Sequence, residues 1–155
     1  MKKAFSMIEL IFVITILGIL AAFAIPKLNA TRDDAAIATA ASNLPVLLSD
    51  VGFYYTSKLD FNDIKVMTNV KLEDDKFFMV GNEKCLEFSV DKSDAYMIIK
   101  KVAGIKANGL CEKFLAIKSI EALLTARDAK GSSNFVTLKT NDTIYYPLAY
   151  NAVVF

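Results

Sequence analysis

The sequence contains no histidine, and its positive and negative charges almost cancel. Without histidine the chain has no His-based catalytic triad and no His metal ligand, and it lacks the commonest general base. The 18 basic and 17 acidic side chains give a net charge of +1, so there is no electrostatic signature of direct nucleic-acid binding. The spacing shows neither paired carboxylates nor a nucleophile beside a base. We therefore expect no enzyme, no cofactor and no metal site.

The longest apolar run extends from Met7 to Ile25 and is interrupted only by Glu9 and Thr15. As a helix rising ~1.5 Å per residue, this run is about 28 Å long, close to the ~30 Å hydrocarbon core of a bilayer. No soluble strand runs that long, and no second stretch approaches 18 apolar residues. The sequence therefore predicts one membrane helix near the amino terminus, followed by a single modest domain.

Glu9 is unusual because it is only the third residue of the apolar run. A lone carboxylate inside a bilayer costs ~2.5–3.5 kcal/mol, less near the interface, so this one should have a partner or a function. No basic residue lies between Lys3 and Lys27. If the chain is cut after Ala4, the new ammonium of Phe5 lies four residues before Glu9 and supplies the missing cation.

The segment 2–10, followed by the apolar helix and Pro26, resembles the start of type IV pilins and type II secretion pseudopilins. In that family a short basic leader ends in Gly or Ala, and the next residue is a Phe that is usually N-methylated after cleavage. A Glu follows four residues after that Phe, and often a Pro twenty-one residues after it. Phe5, Glu9 and Pro26 have this spacing. The departure is Ala4, where Gly is usual, and the resemblance covers about the first thirty residues.

The resemblance implies a processing and assembly sequence for this chain. A prepilin peptidase would cut between Ala4 and Phe5, and Phe5 would be methylated. The helices of several subunits would then form the core of a filament, in which Glu9 pairs with the Phe5 ammonium of a neighbour. Pro26 would kink the helix near the point where it leaves the lipid.

The predicted function is that of a structural subunit, a pseudopilin or minor pilin, of a type II secretion, type IV pilus or DNA-uptake machine. The implied partners are the prepilin peptidase, other pilin-like subunits in homo- or hetero-assembly, an inner-membrane assembly platform and membrane lipid. The expected location is the bacterial inner membrane, crossed once, with residues 58–155 (the head) in the periplasm or outside the cell.

Three other interpretations of the amino terminus are open. An ordinary signal peptide could be cut after Ala24, but its apolar core is normally ~7–15 residues, and here Glu9 lies inside a longer run. A plain single-pass anchor does not explain the spacing from Phe5 to Glu9. A buried soluble helix conflicts with a run that is apolar all round. The alternative function is therefore a membrane-anchored or secreted periplasmic binding domain that uses the amino terminus only for targeting.

The two cysteines, Cys85 and Cys111, are too far apart for a CxxC motif. For a domain outside the bacterial inner membrane a disulfide is the favoured interpretation, and a pair of buried free thiols is the alternative. If formed, the bond closes a loop of about 25 residues and adds about 3 kcal/mol in the chain-entropy model.

The apolar pattern after Pro26 predicts that the helix continues to about Ser57, with a second bend at Pro45 and a possible break at 29–34 instead. We divide the chain into a leader at 1–4, a transmembrane half-helix at 5–27, an amphipathic half-helix at 28–57 and the head at 58–155. The predicted apolar face of the second half-helix consists of Ile37, Ala41, Leu44, Leu48, Val51 and Tyr55.

Within the head, alternation and turn residues predict strands at 76–80 and 85–90 around a turn at 81–83, and a third strand at 95–100. A connector at 61–76 precedes them. A helical period predicts one helix at 110–129, and strands follow at 135–138, 144–146 and 152–155. The predicted fold is α+β and pilin-like: a long amino-terminal helix packed on a small antiparallel sheet with one extra helix.

A predicted turn contains Asn141 and Asp142. Such a pair can contribute to a calcium loop, as in the heads of some pseudopilins. A plain turn is the favoured interpretation, because one Asp beside one Asn supplies too few ligands.

Overall fold

The computed structural model describes residues 6–93, 95–130, 132–138 and 140–148, and at positions 26 and 29 it describes the backbone alone. The chain divides into two compact units, Met1–Ala35 and Ala36–Phe155. The predicted leader, with its cleavage pair at residues 4 and 5, and the predicted strand 152–155 lie outside the described residues.

A single continuous helix, α1, extends from Met7 to Lys58, which confirms the predicted long helix to within one residue at each end. It passes through Pro26, Pro45 and residues 29–34, so the alternative break does not occur. The next residue, Leu59, has a φ of 54°. Because this left-handed conformation does not continue a right-handed helix, α1 ends there. The bends expected at the two prolines stay predictions.

From residue 36 onward, α1 buries one face in the core of the second unit. The predicted apolar face is confirmed, since three of its members are at most 6% exposed and the other three are partly buried against the same core. Ala40 and Leu47 are also buried. They widen the buried face, as expected for a helix that packs on a globular core instead of along a narrow coiled-coil seam.

The connector after α1 contains a short helix, α2, at Ile64–Met67, which was not predicted. Phe61 is buried, and its ring stacks on Tyr55 of α1 with the centroids 4.7 Å apart. The buried Thr68 donates its hydroxyl to the carboxylate of Asp50, also on α1, at 2.7 Å. These two contacts hold the connector against the second half of α1.

Within the described ranges, six strands form one antiparallel sheet in the order β1-β2-β3-β6-β4-β5. This confirms the predicted α+β fold with a long amino-terminal helix and a small antiparallel sheet. The strands are β1 Phe77–Val80, β2 Glu83–Asp91, β3 Tyr96–Lys101, β4 Thr125–Arg127, β5 Phe135–Thr137 and β6 Thr143–Pro147.

The first predicted hairpin is present, and its turn requires a glycine. Val80 pairs with Glu83, so the turn consists of Gly81 and Asn82, and Glu83 begins β2 instead of belonging to the turn. Gly81 has a φ of 60°, and a Cβ added there would lie 2.7 Å from Cδ1 of Leu110. Both the backbone conformation and the close approach therefore favour glycine at this position.

The single helix predicted for residues 110–129 is wrong. The structure has two short helices in its place, α3 at Leu110–Leu115 and α4 at Lys118–Leu123, followed by strand β4. The helices are separated because Ile117 is extended, with a φ of −70° and a ψ of 122°.

The helical spacing of apolar residues in this segment reflects burial against the core and not one continuous helix. Phe114, Ile120 and Leu124 are all at most 3% exposed, so the predicted apolar positions do face the core. Strand β4 then pairs with both β5 and β6. Tertiary pairing with the sheet, which local periodicity does not reveal, overrides the helical preference of residues 125–127.

The carboxylate of Asp91, at the end of β2, is held by three donors. Lys130 forms an ion pair with it, and Ser93 donates both its hydroxyl and its backbone N–H, the latter at 3.0 Å. The hydrogen bond from Lys130, followed by those from Ser93, lowers the pKa of Asp91 well below the ordinary value of 3.8.

Because the pKa of Asp91 is lower in the folded chain than in the unfolded one, its contribution to stability is complete above about pH 4 and is lost as the pH falls further. In Asp91→Asn the urea midpoint should therefore fall less steeply between about pH 4 and pH 2 than in the wild type. The measurement is urea unfolding of the full chain in mild detergent at several pH values. Asp34→Asn, which alters an exposed carboxylate, is the matched control and should keep the wild-type slope. Equal slopes for Asp91→Asn and the wild type would contradict the prediction.

Candidate functional site

Glu9, which has no basic residue near it between Lys3 and Lys27, is hydrogen-bonded to Ser6, the residue just before α1. The backbone N–H and the hydroxyl of Ser6 both donate to Oε2 of Glu9, each at 2.9 Å. The backbone N–H of Glu9 donates back to Oγ of Ser6 at 3.3 Å. This reciprocal pattern is a capping box, in which the residue before a helix and the third residue of the helix satisfy each other's backbone donors. Ser6 was not predicted, although the Ser-x-x-Glu spacing is the sequence signature of that motif.

The other polar side chain of the apolar run, Thr15, is also satisfied by its own helix. Its hydroxyl donates to the carbonyl of Phe12 at 2.8 Å. A hydroxyl bonded in this way enters an apolar environment without an unpaired donor. Both polar side chains between residues 7 and 25 therefore have hydrogen-bond partners, Glu9 at the residue that caps α1 and Thr15 within α1.

The apolar side chains of this part of α1 are exposed; Phe12, Leu20 and Phe23, for example, are at least 61% exposed. Among the described residues, α1 is the one helix long and apolar enough, by length and composition, to cross a membrane. These properties are consistent with a single-pass inner-membrane anchor.

The structure places the predicted assembly residues Glu9 and Pro26 on the same helix, α1. The predicted cleavage and methylation residues, Ala4 and Phe5, lie outside the part of the chain that the structure describes. The roles of all four residues in cleavage, methylation and assembly stay predictions.

Cys85 of β2 and Cys111 in the first turn of α3 form a disulfide, with their Cα atoms 5.4 Å apart. Both residues are at most 1% exposed. As predicted, the bond joins a strand to a helix, and the alternative of two free thiols does not apply.

A second contact reinforces the disulfide, and it was not predicted. The carboxylate of Glu83, at the start of β2, accepts a hydrogen bond from the backbone N–H of Cys111 at 3.0 Å. Its Oε2 also lies so close to Gly109 that a Cβ added there would be only 2.8 Å away. The start of β2 and the start of α3 are thus joined by a covalent bond and by a charge-assisted hydrogen bond.

An open pocket of about 520 Å³ lies beside the second half of α1. Its lining mixes aromatic, aliphatic and hydroxyl side chains, and it contains one charged residue, Asp50, whose carboxylate already accepts the hydroxyl of Thr68. Among the described residues that line the pocket there is no basic side chain.

The turn with Asn141 and Asp142 does not collect metal ligands. Asp142 pairs with Lys101 through Nζ at 2.9 Å. Within the described ranges there is no group of three His, Cys, Asp or Glu side chains able to hold a metal ion.

The most acidic stretch of the head is residues 73–75, and each of its three carboxylates forms an ion pair with a lysine. Lys84 lies 2.8 Å from Asp74 and 3.4 Å from Glu73, and Lys65 lies 2.6 Å from Asp75. The hydrogen bond from Lys84 lowers the pKa of Asp74. These carboxylates are therefore neutralised by ion pairs within the chain.

An amino-terminal helix that is long and apolar enough to cross a membrane, together with a small antiparallel sheet, defines the class: an α+β protein whose first helix is consistent with a membrane anchor. Residues 1–25 match a family model described as the prokaryotic N-terminal methylation motif. This match supports the type IV pilin-like family and a subunit processed by prepilin peptidase. That family is structural, not enzymatic. Searches of curated proteins and of solved structures gave no match.

Proposed function

We propose that this chain is a structural subunit, a pseudopilin or minor pilin, of a secretion, pilus or DNA-uptake machine. In this proposal prepilin peptidase removes residues 1–4, Phe5 is methylated, and the mature subunits assemble through their amino-terminal helices. The partners are other pilin-like subunits and an inner-membrane assembly platform, and the head lies in the periplasm or outside the cell.

The observation that carries this proposal is the methylation motif at residues 1–25 together with the uninterrupted helix that follows it. The motif alone concerns processing. The helix adds a reason for assembly, because its apolar side chains are exposed over the whole anchor and can pack either on lipid or on the helices of other subunits. A disulfide-linked head suits an oxidising compartment outside the inner membrane.

The proposal is tested by the amino-terminal residue and the intact mass of the mature protein, in cells with and without prepilin peptidase. We expect a chain that starts at Phe5 and carries one extra methyl group in cells with the peptidase, and an uncut chain in cells without it. Ala4→Glu is a matched variant, because it replaces the small residue before the cleavage point and should block processing.

The alternative outcomes separate the competing functions. A mature chain that starts at Ile25, whether or not the peptidase is present, would identify a secreted domain and remove any role for Glu9. A chain that keeps Met1 in both strains would identify a plain membrane anchor.

A further inference from the structure

The first turn of α1 treats the two oxygens of the Glu9 carboxylate differently. Both donors of Ser6 converge on Oε2, each at 2.9 Å. Within the part of the chain that the structure describes, no hydrogen bond reaches Oε1, and the side chain of Glu9 is exposed. Among the described residues, Oε2 is therefore held by the residue that caps α1, and Oε1 keeps its capacity to accept a donor.

We propose that Ser6 is a positioning residue for assembly, which holds Oε2 of Glu9 so that Oε1 can accept the amino-terminal ammonium of a second pilin-like subunit. This inference rests on the proposed function, because it assumes that subunits assemble through Glu9. It adds Ser6 to the residues that take part in assembly, and it gives the two oxygens of Glu9 separate partners, which the methylation motif does not specify.

Positioning by Ser6 lowers the cost of association. A glutamate side chain has several rotatable bonds, and fixing them at the moment of contact opposes binding. In the capping box the side chain of Glu9 is fixed before the second subunit arrives, because Oε2 is bonded to two donors of a residue at the start of the same helix. The incoming ammonium then meets a carboxylate that is already oriented.

The same hydrogen bonds protect the carboxylate before assembly. An ionised carboxylate without hydrogen bonds is costly at the edge of a bilayer, and two donors on Oε2 reduce that cost without using up its capacity to accept further bonds. Thr15 illustrates the same rule further along the helix, where the hydroxyl is satisfied by the carbonyl of Phe12. Thr15 has no carboxylate to orient, which makes it a suitable control position.

The inference is tested with three variants of the full chain, Ser6→Gly, Ser6→Thr and Thr15→Ala. Glycine is nearly as good an N-cap as serine, so Ser6→Gly keeps the start of the helix but removes the hydroxyl donor. Cross-linking between two differently tagged copies in cells should fall about tenfold in Ser6→Gly, because a hydrogen bond to a charged group is lost. Ser6→Thr restores the hydroxyl and should stay within about twofold of the wild type, as should Thr15→Ala.

A second measurement examines the capping box without reference to assembly. In the detergent-solubilised full chain, the backbone N–H of Ser6 should exchange with solvent about tenfold faster in Glu9→Ala than in the wild type, because its acceptor is gone. Thr15→Ala should leave that rate unchanged.

Each outcome decides one question. Wild-type cross-linking in Ser6→Gly, or a loss in Ser6→Thr as large as in Ser6→Gly, would overturn the positioning role. An unchanged exchange rate in Glu9→Ala would overturn the capping geometry itself. If Glu9→Ala cross-links like the wild type although its exchange rate rises, the capping box exists but assembly does not use Glu9, and the positioning role fails while assembly itself stands. An absence of cross-linking between wild-type copies would instead contradict the proposed function.

Discussion

Replacing Glu9 by alanine should leave the chain in the membrane but lower the amount of assembled protein at least about a hundredfold. In the assembled state Glu9 would face the ammonium of a neighbouring subunit inside a bundle of apolar helices. Removing one partner of a buried ion pair costs about 3–5 kcal/mol, since the other charge remains buried and unpaired. Insertion should not suffer, because the variant has one fewer carboxylate to place in lipid.

The measurement for Glu9→Ala is cross-linking between two differently tagged copies, with membrane extraction to verify insertion. The intact mass is determined in parallel, so that incomplete removal of the leader is not mistaken for failed assembly. Thr15→Ala, which alters the other polar residue of the same apolar run, should cross-link like the wild type. Wild-type cross-linking in Glu9→Ala would show that this carboxylate does not direct assembly.

Breaking the disulfide between Cys85 and Cys111 should destabilise the second unit by about 3 kcal/mol. The bond closes a loop across 26 positions, and opening it restores conformational freedom to the unfolded chain. With a urea dependence of about 2 kcal/mol per molar, the unfolding midpoint should fall by about 1.5 M. The near-ultraviolet circular dichroism of the tyrosines reports on this unit, since all six tyrosines of the chain follow residue 53.

Two preparations distinguish the stability lost with the covalent bond from the stability lost with the sulfur atoms. Wild-type protein in reductant keeps both sulfurs but lacks the bond, whereas Cys85→Ala/Cys111→Ala also loses volume at two buried positions. We expect the double variant to be the less stable of the two, because the vacated volume adds a cavity cost. An oxidised and a reduced wild type with the same midpoint would contradict the prediction.

The sequence predicts an element well when the local spacing of its apolar residues and its burial in the folded chain favour the same structure. The apolar run from Met7 to Ile25 is too long for anything but a helix, and the face built on Leu44, Leu48 and Val51 repeats with helical spacing over several turns. The hairpin at Gly81 has alternating residues on both sides of a turn that needs a positive φ. In each case local preference and burial favour the same structure.

The segment 110–129 shows where this agreement ends. Its apolar residues are buried as predicted, but Ile117 is extended and residues 125–127 join the sheet. Pairing with strands that come later in the chain decides the structure here, and no local pattern contains that information. The short helix α2 was missed because four residues are too few to show a period.

The candidate site was only partly predictable. Glu9 was recognisable from its position in an apolar run, and the disulfide was favoured because the resemblance implies a compartment outside the inner membrane. Ser6 has its signal in the sequence, the capping-box spacing. Glu83 has none, because its role as acceptor for Cys111 depends on how a hairpin and a helix from distant parts of the chain meet.

The disulfide also determines how the protein responds to proteolysis. The loop that it closes contains most of β2, all of β3 and the exposed residues 106–108. A protease that cuts the backbone anywhere between Cys85 and Cys111 leaves two fragments that are still covalently joined. A nicked chain would therefore migrate as one molecule until a reductant is added, and the fragment with the amino-terminal helix would still carry the rest of the sheet.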